Sequence, residues 1–222
     1  MEDSRSAALT FSDLLWRETA LNVDRAGAHG AWEIPHFIGS GLERLSLWFE
    51  GARIGGPAIP EANPTLLSVL HAGRVLRVAP DPFLDPLGSG SDGLIWAESP
   101  IDDWSRSPSA VRLTEGPTAA SSQDLYFGRQ TGSWKLFASY GRFSSEGRPF
   151  WLSPRYSAME NQNVVVSLDR SLSWSGWRLQ ASDRGGRNIL EGNRKLIWQA
   201  REIRALGHFA LGRSASAQLA LS

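Results

Sequence analysis

The sequence predicts a mainly β, α+β fold: an antiparallel β-sandwich or barrel in the C-terminal half, with a few short helices in the N-terminal third. Three observations carry this reading. From residue 124 onward, short segments alternate apolar and polar side chains and are separated by glycine-containing turns. Glycine (22 residues) and proline (12) favour frequent turns over long helices. No strand–helix–strand rhythm appears, so a doubly wound parallel sheet is not expected.

The elements follow in order. Thr10 and Asp13 form a capping box with Asp in place of Glu, and Phe11, Leu14, Leu15 and Leu21 share one face, which predicts a helix over 11–22. Ser40 and Glu43 form a second box ahead of a stripe of Leu42, Leu45, Trp48 and Phe49, with Gly51 as the stop. A strand through Leu45–Phe49 competes, because Leu45, Leu47 and Phe49 also alternate. Asn63-Pro64 opens a third helix with Leu66, Leu67 and Leu70 buried, ending at Gly73. Val75–Val78 reads as a strand stopped by Pro80. Residues 80–93, PDPFLDPLGSGSDG, read as a long loop or linker. It divides a mixed region, 1–79, from an antiparallel β-rich domain, 94–222, although the whole chain also fits one domain. Strands are expected at Leu94–Glu98, Ala110–Thr114, Asp124–Arg129, Trp134–Phe143, Pro149–Leu152, Asn163–Leu168, Trp174–Ala181, Leu196–Ile203 and His208–Leu211, with a turn at Asp183-Arg184-Gly185-Gly186.

Composition narrows the chemistry. The chain has ten tryptophans and no cysteine, which excludes disulfides, zinc–thiolate sites, iron–sulfur clusters and thiol catalysis. Residues 1–110 hold fifteen acids and eight bases, and residues 111–222 eight acids and fifteen bases, so a net charge of zero hides two oppositely charged halves. Packing of one half on the other accounts for this, as does an anionic partner or a neighbouring subunit. No apolar run is long enough for a membrane-spanning helix, and the acidic N-terminus does not read as a secretory signal. A cytoplasmic or virion-associated location is the expectation. WKLFASYGRF (134–143) also has the look of an outer-membrane barrel strand, but an apolar C-terminal strand with a final aromatic is missing, so that reading is disfavoured.

Candidate site residues fall into two groups. Glu33 and His36, in WEIPHF, form a candidate acid–base pair beside Trp32 in a loop. Asp102 and Asp103 sit beside Trp104 between two prolines, where adjacent carboxylates could serve catalysis on a stacked sugar. The second group is aromatic and cationic: Trp104, Trp134, Trp151, Tyr156, Trp174, Trp177 and Arg178, a candidate ligand-binding surface or simply core. No histidine pair has metal-ligand spacing, and no phosphate loop or dinucleotide fingerprint is present, so neither metal nor cofactor is expected.

Two functions fit. The first is a non-catalytic binding or assembly protein using its aromatic and arginine surface to contact a protein subunit or itself as an oligomer, a glycan or a small hydrophobic ligand. The second is a cofactor-independent isomerase, cyclase or hydrolase with an aromatic-lined pocket and the carboxylate–histidine groups above. The sequence does not decide whether the chain is an enzyme. Arginine is scattered rather than massed in a stripe, which disfavours nucleic acid.

Overall fold

In the computed structural model, residues 10–18, 21–25, 33–37, 45–49, 52–54, 76–79, 93–98, 101, 104–116, 119–145, 156–172, 175–190, 195–210 and 216–221 are described. One helix, α1 (Phe11–Glu18), precedes a hairpin of β1 (Leu21–Arg25) and β2 (Glu33–Phe37). A four-stranded mixed sheet follows, built from β3 (Leu45–Phe49), β4 (Ala52–Ile54), β5 (Leu76–Ala79) and β6 (Gly93–Ala97), in the order β4-β3-β6-β5. Strands β3 and β6 run parallel and the other pairs antiparallel.

A 3-10 turn at Trp104–Arg106 leads into the main sheet. Its strands are β7 (Ser109–Gly116), β8 (Ala120–Thr131), β9 (Trp134–Ser145), β10 (Tyr156–Ser171), β11 (Ser175–Leu190), β12 (Lys195–Ala210) and β13 (Ser216–Leu221). All pair antiparallel with their sequence neighbours, so the sheet is a meander in simple chain order. Gly132, at φ 58°, supplies the left-handed residue of the two-residue link between β8 and β9. Ser171 N–H donates to Ser133 O at 3.0 Å, which sets the β8–β9 and β10–β11 turns side by side at one end of the sheet.

The buried apolar side chains concentrate in the N-terminal elements. Phe11, Leu14, Leu15, Leu21, Leu45, Leu47, Phe49, Ile95, Ala97 and Ile101 form a core that, among the described residues, takes Phe137 and Val165 from the long strands, with Tyr126 of β8 packed against it. Phe49 and Phe137 meet at 6.3 Å between ring centroids, joining the small sheet to the inner face of the large one. Within the small sheet Trp48 stacks on Trp96 at 6.0 Å, and Trp48 Nε1 donates to Ser46 Oγ at 3.1 Å.

The capping box forms as expected: Asp13 Oδ2 accepts from Thr10 N–H (3.0 Å), and Thr10 Oγ1 accepts from Asp13 N–H (3.3 Å). The helix is shorter than the predicted 11–22, because Leu21 leaves it to start β1. The stripe at Leu45–Phe49 resolves as a strand rather than a helix: all five residues are buried, Leu45, Leu47 and Phe49 on one face and Ser46 and Trp48 on the other, so two periodicities matched equally well. WEIPHF is not a loop, since Glu33–Phe37 pairs with β1. The helix expected at Asn63 and the strand at Pro149–Leu152 lie outside the described residues. The C-terminal strands are longer than predicted. Gly185-Gly186 lies inside β11, paired with Gln162 and Asn161, and is not a turn.

Gly128 shows how closely the 3-10 turn seats on β8. A Cβ at that position would collide with the end of the buried Ile101 side chain and press on Trp104. Gly128→Ala is therefore expected to cost about 1–3 kcal/mol through overpacking. Adding Ile101→Val, which removes the obstructing methyl, should recover part of that loss in denaturant titrations.

Candidate functional site

In a strand, alternate residues face opposite sides, and in the main sheet the two sides differ chemically in an unusual sense. The inner side is buried and polar. It carries Ser122 and Asp124 on β8, Ser139 on β9, Asn161, Asn163 and Ser167 on β10, and Gln180 and Arg184 on β11, all buried. Register groups them: Asn163 pairs with Arg184, Val165 with Ser182 and Ser167 with Gln180. Charges on this side are mostly paired. Arg178 donates to Asp169 through Nε (2.5 Å) and Nη2 (3.1 Å). Glu202 accepts from Arg184 (2.5 Å) and lies 2.7 Å from Arg204. Arg112 faces Asp124 at 3.9 Å.

The outer side is exposed and largely apolar. Val111 and Leu113 on β7 are 75% and 74% exposed, and Ile203 on β12 is 71% exposed. Between them stand Leu125, Phe127, Leu136, Val164, Val166 and Leu179, all exposed. Register makes these one continuous surface, with Phe127 beside Ala138, Val166 beside Ala138 and Ala181, and Ala181 beside Ile203. At the short-turn end, Trp134 and Trp177 pack edge to face at 5.2 Å, with the Arg170 guanidinium 5.2 Å from the Trp134 ring centre. Toward the opposite end the same surface turns charged. Glu160 bridges Arg142 (2.6 Å) and Arg187 (3.3 Å) there, and nearer the middle, beside Val164, Asp183 accepts from Gln199 (3.0 Å) and Arg201 (3.2 Å).

The sequence-predicted site residues scatter over this frame. Glu33 and His36 both lie on β2, where Glu33 pairs with Arg25 and His36 with Asn22. His36 Nδ1 lies 3.6 Å from Asp24, and Nε2 lies 3.4 Å from Asn22 Nδ2. Asp102, Asp103, Trp151 and Trp174 fall outside the described residues. Tyr156 begins β10. Trp104 is half-buried in the 3-10 turn, with the Lys135 ammonium 5.5 Å from its ring. Trp134 and Trp177 come together on the outer side, whereas Arg178 faces inward. Sequence reasoning missed Asn161, Asn163, Gln180 and Arg184. The available signal was polar residues at alternate positions facing exposed valines and leucines.

The main sheet therefore belongs to a barrel-type antiparallel fold with an inverted distribution of polarity. No family model and no curated protein sequence matches the chain. Solved structures do. The copper transporter OprC matches with a TM-score of 0.70 at 18% identity, over 93% of this chain and 33% of that one. The FrpB iron transporter of Neisseria meningitidis matches in its F5-1 variant (0.60, 12% identity, 93% and 34%) and its F3-3 variant (0.58, 14% identity, 93% and 36%). The chain spans about a third of the length of these proteins.

The fold thus resembles that of outer-membrane transport proteins, and this corrects two expectations. A cytoplasmic or virion-associated location does not fit it. Nor does the expectation of no membrane span, because membrane barrels cross with strands and need no apolar helix. Residues 134–143, which have the look of a barrel strand, lie within β9, a central strand of the sheet.

The Trp134–Trp177 contact yields a direct test. A double-mutant cycle with Trp134→Ala and Trp177→Ala should give a coupling of about 0.5–1.5 kcal/mol. Coupling near zero would mean that the two rings do not pack together.

Proposed function

We propose that the seven-stranded sheet is a wall segment of an outer-membrane β-barrel, with its outer side against lipid and its inner side against the N-terminal elements, in a protein that passes a solute across that membrane. The observation that carries this is the inverted sidedness. In water, a continuous exposed surface of valine, leucine, isoleucine and phenylalanine lowers solubility and promotes association. In a bilayer the same surface is matched to its solvent, and each strand's backbone groups are satisfied by its neighbours.

Three further features support the reading. Trp134 and Trp177 suit the interface between lipid tails and headgroups, where an aromatic ring meets both apolar and polar surroundings. The Arg142–Glu160–Arg187 group bounds the apolar surface at its other end, where headgroups and water begin. The links at the tryptophan end have two residues (β8–β9), three (β10–β11) and five (β12–β13), and those at the other end three (β7–β8), ten (β9–β10) and four (β11–β12), so the longest link, 146–155, lies opposite the tryptophans. Barrels of this kind keep short turns on the periplasmic side and longer loops outside, which orients the tryptophan end inward. Among the described residues β7 and β13 end the sheet, and in hydrocarbon their outer edges require strand partners.

The test is folding of the full chain into lipid vesicles. Val166→Arg, in the middle of the apolar surface, should cost about 2–4 kcal/mol of folded-state stability in the bilayer. Gln162→Arg, on the same strand and side but at the charged end, should cost about 0–1 kcal/mol. Equal costs at both positions would refute a lipid-facing side.

A further inference from the structure

We propose that the inner side of the sheet binds a small oxyanion at Arg184. Arg184 is 1% exposed, yet a single partner engages it: Nη2 donates to Glu202, while Nε and Nη1 have no hydrogen-bond partner. Asn163, its register partner on β10, leaves Oδ1 without a partner. Asn161, two residues along the same side, leaves both Oδ1 and Nδ2 without one. All three residues are at least nine-tenths buried, and they are contiguous on two adjacent strands. Register sets Gly141 beside Asn163 and Gly186 beside Asn161, which leaves space next to both amides, while Phe143 is the β9 partner of Asn161 and Ala200 the β12 partner of Arg184.

The chemistry of the open groups selects the ligand. Glu202 is shared between Arg184 and Arg204, so the three together retain one positive charge. The open donors are the Nε–H and Nη1–H groups of Arg184 and the amide of Asn161. A cation would face a guanidinium, and an apolar group would leave every donor unmet. An oxyanion of the phosphate or carboxylate class accepts from Arg184 and Asn161 through charge-assisted hydrogen bonds. A hydroxyl on the same ligand, such as that of a protonated phosphate, donates to the Asn161 and Asn163 amide oxygens. The inner side faces away from the proposed lipid surface, so the source is a soluble anion.

The full chain in detergent micelles should bind inorganic phosphate saturably, read by calorimetric titration and by a rise in unfolding temperature, with ionic strength held constant by chloride. Glu202→Gln removes the competing carboxylate and should tighten binding by about tenfold, whereas Arg184→Gln should weaken it by about tenfold or more. Asn161→Ala should weaken it by a smaller factor. Hydration alone at Arg184 predicts no difference between phosphate and chloride. That result, or a Glu202→Gln variant that binds no more tightly, overturns the proposal. The titration does not involve lipid, so its failure leaves the membrane-facing reading standing, and a failure of that reading leaves the anion site standing.

Discussion

The period of two along an extended strand governs the rest of this structure. It forces neighbouring residues onto opposite sides of the sheet, so a single sequence must serve two environments at once. On β10 the run Asn163-Val164-Val165-Val166-Ser167 divides into buried Asn163, Val165 and Ser167 and exposed Val164 and Val166. The same division repeats on β8, β9 and β11, and the antiparallel register aligns the strands into continuous rows. A shift of one residue in any pairing would place asparagine and arginine outside and valine inside. The fold and the proposed location both rest on that alignment.

The inner side also explains why the N-terminal third packs where it does. A curved wall of polar residues offers little apolar surface to a neighbour. The small mixed sheet and α1 bury their own core and touch the wall at a few apolar positions, chiefly Phe137 and Val165. Elsewhere the inner side also holds contacts between charged groups, as in the pairs of Arg178 with Asp169 and of Arg184 with Glu202. The polar side thus holds both ion pairs that are satisfied within the sheet and the open groups around Arg184.

Legibility in the sequence followed how local each signal was. The α1 cap was readable because Thr10 and Asp13 are three residues apart and the box is made by their own side chains. The antiparallel, turn-rich character of the main sheet was readable for the same reason, but β6, expected in that region, pairs parallel with β3 in the small sheet. Strand lengths were not. Asn161, Arg184 and Gly185-Gly186 look like turn residues, and only their neighbours in the sheet reveal that they line one side of it. Leu45–Phe49 was ambiguous because burial on both faces erases periodicity. The direction of the sidedness was the largest gap. Alternation shows that two sides differ, but it does not say which one meets the interior, so a pattern compatible with water outside was read that way. Of the candidate aromatic surface, Trp134 and Trp177 do meet, whereas Arg178 turns to the other side to pair with Asp169.

The absence of cysteine from the native chain allows the central claim to be tested residue by residue. Single cysteines placed from 163 to 168 along β10, spin-labelled in the bilayer-inserted chain, would report contact with oxygen dissolved in lipid against contact with a water-soluble relaxing agent. The account predicts a strict alternation, with lipid contact high at 164, 166 and 168 and low at 163, 165 and 167. A uniform profile, or lipid contact high at 163, 165 and 167 instead, would contradict it.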